Sequence, residues 1–136
     1  MLNAYQKNAI EVEMTLLEAT LRDLKRLVRE PPEDGLLTRV LLIPDGHRAR
    51  IEKAVDAMLE EVGLVVREFD LQPQDESIGR RIDAQMAGAW SDLHEVLSAK
   101  LRRYGDIDPH LSRKLDPHIK RMIRLTLEVG RLTHMD

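Results

Sequence analysis

The chain has 136 residues, 43% of them hydrophobic and 33% charged, with a net charge of −3. A domain of this length can bury a sufficient core, and the composition excludes both a disordered and a membrane-embedded chain. Cysteine is absent, which excludes disulfides, thiolate nucleophiles and cysteine-ligated metal centres. The sequence therefore predicts a single domain, residues 1–136, whose stability comes from packing.

The N-terminal region carries Glu11 and Glu13 where an export signal needs an unbroken apolar stretch. The longest aliphatic run, residues 40–43, is far shorter than the roughly 20 residues that span a bilayer. We therefore expect a cytoplasmic protein without membrane contact. The excess of Arg over Lys is in keeping with a prokaryotic source.

The first predicted helix begins at Asn3, which forms a capping-box pattern with Gln6, and stops at Pro31 and Pro32, which cannot donate backbone hydrogen bonds. Between these signals, apolar residues recur at alternating intervals of four and three. Such a heptad seam is typical of a helix that packs lengthwise against another helix. The seam consists of Ile10, Met14, Leu17, Leu21, Leu24 and Val28.

Residues 36–43 are an apolar run between turn signals at Gly35 and at 44–46. Periodicity cannot distinguish a short strand from a buried helical turn in a run this brief. We interpret the run as a crossover segment, with or without a helical turn, whose leucines pack onto the helices.

A second predicted helix begins near His47 and ends before Pro73. Its seam continues in phase past Gly63, which favours one uninterrupted helix. If Gly63 instead ends the helix, residues 64–69 become a strand, and a βαβ unit at 37–70 gives an α+β fold. The seam consists of Ile51, Val55, Met58, Val62, Val65 and Phe69.

The third predicted helix begins at Asp75 or Ser77, which are both favourable N-caps. Its apolar residues repeat at helical spacing as far as Tyr104, and Gly105 is a candidate residue to follow the C-terminus.

Two similar phrases follow, at residues 108–111 and 116–119, and each places an aspartate before a proline as at a helix N-terminus. We interpret them as a short helical turn, a break before Pro117, and a last helix that ends near Thr133.

Together these signals predict an all-α fold, an antiparallel up-and-down bundle of about four helices with coiled-coil-like packing. The first half is rich in acidic residues, and the last helix is mildly basic. These charges either complement each other across the bundle or a dimer seam, or are simply solvated helix faces.

The sequence contains no standard catalytic or cofactor pattern. No Glu is followed by a His three residues later, as di-metal bundles require, and the phosphate-binding and nucleophile-elbow glycine motifs are missing. We therefore assign no catalytic residue, no metal ligand and no cofactor. The basic pairs on the later helices are too dispersed to predict nucleic-acid binding.

Four residues are candidates for an improvised site. His110 and His118 each follow an Asp-Pro pair and could share a metal if the helix ran continuously through Pro117. His94, four residues after Trp90, is placed to stack on it, and Trp90 could equally anchor an interface.

These observations favour a non-enzymatic helical module for protein interaction or regulation that forms a homo-oligomer. The alternative is a bundle that binds a small ligand or metal through some of His94, His110, His118 and Trp90. A continuous exposed apolar stripe would favour an interface, whereas an enclosed cavity lined by His and Trp would favour a ligand.

Overall fold

The structure is a computed structural model and describes residues 1–134. Within that range 72% of the chain is helical and no strand occurs, so the all-α prediction is confirmed and the α+β alternative at 37–70 is wrong. No helix in these 134 residues has the length and apolar character needed to cross a bilayer. The helices are α1 (Ala4–Arg29), α2 (Asp45–Glu68), α3 (Ile78–His94), α4 (Ser98–Leu101) and α5 (Leu111–Leu132), with a 3-10 turn at Arg102–Tyr104 after α4.

Contacts divide the chain into two units, which meet between Gln74 and Asp75. The first unit contains α1 and α2, and the second contains α3, α4 and α5. Each unit is built around one pair of long helices. The prediction of a single domain over residues 1–136 stays a prediction.

Helix α1 begins and ends where the sequence predicts. The side-chain oxygen of Asn3 accepts a hydrogen bond from the Gln6 N–H at 2.8 Å, and the Asn3 N–H donates to the Gln6 side chain at 3.0 Å. This reciprocal pair satisfies two of the amides that a helix N-terminus leaves without a partner. The helix ends at Arg29, and the next residue, Glu30, is the C-cap that precedes Pro31 and leaves the helical conformation.

Helices α1 and α2 form an antiparallel pair through part of their predicted seams, whereas Leu17, Leu24 and Met58 of those seams are exposed. Its centre is a cluster of Leu21, Val55 and Val62, which are at most 5% exposed. At the end near the crossover, Lys25 Nζ lies 2.8 Å from Asp56 Oδ1, and Arg29 and Glu52 form a second ion pair. The apolar residues packed around this cluster are Met14, Ile51, Leu59 and Val66.

Helix α2 continues through Gly63 and ends at Glu68, so the predicted alternative strand at 64–69 is wrong. The left-handed residue that ends the helix is Asp70, with φ of 50°, and the Leu71 N–H donates to the Val66 carbonyl at 2.9 Å. This is the hydrogen bond of a Schellman C-cap. The buried side chain of Leu71 holds the cap against the helix pair.

The crossover at residues 36–43 contains neither a strand nor a helical turn. Leu36 and Leu37 are fully exposed, and Leu41 is 84% exposed, so the expectation that these leucines pack onto the helices is wrong. The run has no strand to pair with at 64–69, because α2 continues to Glu68 and Phe69 is its C-cap. Its Val40 N–H is bonded instead to the Asp34 carboxylate at 2.8 Å.

Helix α3 starts at its predicted N-cap, Ser77, whose hydroxyl accepts from the Arg80 N–H, but it ends at His94 rather than near Tyr104. The chain turns at residues 95–97 before α4 begins. Helix α5 is longer than predicted because it starts at Leu111 and continues through Pro117 without a break.

Helices α3 and α5 form a second antiparallel pair and approach closely at glycines. A Cβ atom added to Gly130 would lie 3.1 Å from Asp83 Oδ1, and one added to Gly79 would lie 3.3 Å from the Thr133 carbonyl oxygen. Any side chain larger than that of glycine at these two positions would therefore require the facing atoms to shift. Ile119 and Ile123 of α5 are buried on the same side of the helix.

Replacing Gly63 with alanine is expected to stabilise the first unit by about 1 kcal/mol, because alanine restricts the unfolded chain more and favours the helix. The site is open, since the nearest atom to an added Cβ is the flexible end of Arg67 at 3.8 Å. Chemical denaturation of the full chain measures the change. Gly105→Ala is the opposite control, because Gly105 has φ of 143° and alanine there should destabilise.

Candidate functional site

The described residues leave an unusual share of apolar surface uncovered. Seven hydrophobic residues are buried, whereas 24 large hydrophobic residues are exposed. The accessible surface of the chain is 11511 Å². A compact protein of 15.7 kDa exposes about 7,300 Å², and two separate compact halves would together expose about 8,800 Å². The accessible surface of the chain is therefore larger than expected even for two separate compact units.

The clearest exposed stripe lies on α1, and we name it the outward seam. Successive members are four and three residues apart in strict alternation, and at 100° per residue the stripe lies about 140° around the helix from the seam that faces α2. Tyr5 is 89% exposed, Val12 47% and Leu16 58%. The outward seam consists of Tyr5, Ala9, Val12, Leu16, Ala19 and Asp23.

Helix α2 has no comparable second stripe. Its side away from α1 carries mostly charged residues, and the large apolar residue among them is Leu64, which is 44% exposed. The charged residues on this side are Arg50, Lys53, Glu60, Glu61 and Glu68. Helix α1 is therefore the member of this pair that presents apolar surface on two sides.

In the second unit, α5 also has more apolar surface than α3 covers. An exposed stripe runs beside the buried Ile119 and Ile123 and comprises Met122, Leu125, Val129 and Leu132. A different side of α5 is basic and carries Arg113, Lys120, Arg121, Arg124 and Arg131. The basic pairs noted in the sequence thus share a helix face, alongside one acidic residue, Glu128.

A groove of about 390 Å³ lies between α3 and α5. Its apolar lining includes Met86, Trp90 and Leu127, and its polar lining includes Asp83 and Arg131. The Trp90 and His94 rings stack with centroids 4.1 Å apart, as their spacing in the sequence predicts. His94 Nδ1 lies 2.8 Å from the Trp90 carbonyl oxygen, so this nitrogen carries the donated hydrogen.

A buried polar contact joins α4 to α5. The Asp116 carboxylate accepts hydrogen bonds from the Ser98 backbone N–H at 2.9 Å and from the Ser98 hydroxyl at 2.6 Å. Ser98 is 7% exposed. Asp116 thus caps the first turn of α4 from another helix, rather than the N-terminus of its own helix as predicted. The two Ser98 hydrogen bonds hold the pKa of Asp116 below its ordinary value, and Lys120 contributes a smaller charge effect.

The candidate histidines are dispersed among different surroundings. His94 is engaged with Trp90, His110 precedes the first turn of α5, and His118 is exposed within that helix. Asp116, which lies two residues before His118, is bonded to Ser98. Across residues 1–134, no three His, Asp or Glu side chains are grouped so that they could hold a metal ion.

Comparison of the chain with protein-family models, with curated proteins and with solved structures finds no match in any of the three.

The outward seam was missed in the sequence although its spacing is visible there. Two of its six members are alanines and one is Asp23, so its apolar character is weaker than that of the seam facing α2. The signal that reveals the outward seam is the strict alternation of four- and three-residue spacings, which is the same as in the stronger seam facing α2.

Substituting Ser98 with alanine is expected to lower the melting temperature near neutral pH, because Asp116 loses its hydroxyl donor. Since folding lowers the pKa of Asp116, this carboxylate stabilises the fold above its unfolded pKa, and the effect is lost as pH falls through the folded pKa. The melting difference between the wild type and the variant should therefore shrink below about pH 4.

Thermal unfolding followed by circular dichroism across pH 2–7 measures this difference. Ser91→Ala, at an exposed position of α3, serves as the matched control and should show a shift that does not change with pH. A constant difference for Ser98→Ala over the whole range would contradict the assignment of the pKa shift to this contact.

Proposed function

We propose that this protein is a non-enzymatic helical interaction module that self-associates. The observation that carries the proposal is the number of exposed apolar side chains, with 24 large hydrophobic residues exposed and seven hydrophobic residues buried in the described chain. Monomeric proteins rarely leave contiguous apolar surface of this extent in water, because covering it is favourable by about 25 cal/mol per Å². A cytoplasmic setting and a regulatory role belong to the same proposal.

The arrangement of the exposed residues supports an interface rather than a catalytic cleft. Six of them lie on α1 and five on α5, and stripes of apolar side chains are surfaces through which helices associate. Asp116, whose pKa is lowered, is engaged in a structural contact with Ser98.

Sedimentation equilibrium of the full chain at concentrations from about 1 to 200 μM tests the proposal. We expect an apparent mass that is a multiple of 15.7 kDa and that depends on concentration in the way mass action requires. High salt should preserve the assembly, because burial of apolar surface is not screened. A mass of one chain at every concentration would contradict self-association.

A second candidate is a binding site for a small apolar ligand in the α3–α5 groove. Its volume of about 390 Å³ falls within the usual range for ligand pockets, and its lining contains one arginine, Arg131, together with Asp83 and His134. Trp90 is the single tryptophan, so its fluorescence reports directly on occupancy.

Titration with decanoate is expected to shift Trp90 emission to shorter wavelength as the ligand excludes water from the indole. Arg131→Gln should weaken the response about tenfold by removing the charge that faces the carboxylate, whereas Arg113→Gln should leave it unchanged. An emission maximum that stays constant up to millimolar decanoate would dispose of this candidate.

A further inference from the structure

We propose that two copies of the chain associate by packing the outward seams of their α1 helices against each other in antiparallel orientation. The inference rests on the proposed self-association and specifies the surface, the partner and the direction. The occupant of the exposed seam is thus a second copy of the same helix.

The first argument is that two copies of the outward seam fit each other when they run in opposite directions. In an antiparallel coiled coil, residues of the two heptad core positions face each other across the interface. One antiparallel register places Val12 of one copy opposite Leu16 of the other, and Ala9 opposite Ala19. In this register the numbers of two facing residues always add up to 28. Two large apolar layers therefore lie at the centre, and each is flanked by a layer of small residues.

The second argument comes from the ends of the seam. The same register places Tyr5 of one copy opposite Asp23 of the other, so the phenolic O–H can donate to the one carboxylate in the seam. This pairing satisfies polar groups that the interface would otherwise bury without a partner. The six residues thus form six layers, and every large, small or polar side chain meets a suitable counterpart.

Charge excludes the parallel arrangement. In a parallel, in-register pair each residue faces its own copy, so two Asp23 carboxylates would meet within the seam and repel each other. In the antiparallel register the two aspartates lie at opposite ends of a contact that is about 27 Å long, since Tyr5 and Asp23 are 18 residues apart at 1.5 Å per residue.

The rest of the first unit is compatible with this contact. The outward seam is about 140° around α1 from the seam that faces α2, so each α1 can contact its own α2 and the second copy at once. The polar outer side of α2, with Leu64 as its large apolar residue, offers no equivalent surface. Association through α1 therefore leaves the charged side of α2 in water.

Leu16→Glu tests the seam, because it places a carboxylate opposite Val12 in both symmetry-related layers. The dissociation constant of the variant's dimer, measured by sedimentation equilibrium, should be at least about a hundredfold higher than that of the wild type. Leu64→Glu makes the same chemical change at a similarly exposed position outside the seam and should retain wild-type association. Helix content and melting temperature measured on both variants separate loss of association from loss of folding.

Disulfide trapping tests the direction, and the chain is suited to it because it has no cysteine. A tagged Ala9→Cys variant mixed with an untagged Ala19→Cys variant should give the mixed covalent dimer on mild oxidation. Neither variant alone should crosslink, because a disulfide needs Cα atoms about 4.4–6.8 Å apart. Ala57→Cys, at an exposed position of α2, is the matched control and should not crosslink with Ala9→Cys.

The outcomes separate this inference from the broader proposal. If Ala9→Cys crosslinks with itself, the orientation is parallel and the inference is overturned. If the wild type associates but Leu16→Glu does so equally well, self-association stands and this seam is not its surface. If the wild type is monomeric throughout, both proposals fail.

Discussion

Two helices packed side by side cover only one strip of each other's surface. This limit determines which apolar side chains of the protein are buried and which stay exposed. In the first unit, the strip centred on Leu21 and Val55 holds α1 and α2 together. Ion pairs such as Lys25 with Asp56 fix the antiparallel alignment at one end. Apolar residues outside the strip have no partner in the unit, so they remain in contact with water.

This constraint acts differently on the two helices of the pair. Helix α2 meets it with a charged outer side, whereas α1 repeats a heptad pattern on its outer side and leaves Val12 and Leu16 exposed. A helix with two apolar sides is suited to lie between two others. This asymmetry is the reason that the proposed self-association is placed on α1, with a second copy of the chain as the proposed partner.

In the second unit, polar and steric details determine the helix ends. Pro117 removes one backbone donor from α5, yet the helix continues through it while Asp116 reaches across to Ser98. The same contact anchors the start of α4, so the chain turns after His94 instead of extending α3. Gly79 and Gly130 then permit the close approach of α3 and α5 at the opposite end.

The sequence by itself determined the all-α class, the capping box of α1, its stop before Pro31 and the seams that join α1 to α2, because these follow from local hydrogen bonding and heptad spacing. Tertiary structure decided where α3 ends, that α5 passes through Pro117, and that Leu36 and Leu37 stay exposed. A contact such as Ser98 with Asp116 joins residues 18 positions apart, which local patterns do not reveal. The spacing of the outward seam is also present in the sequence, but only the tertiary structure shows that α2 packs on a different side of α1 and leaves Val12 and Leu16 exposed.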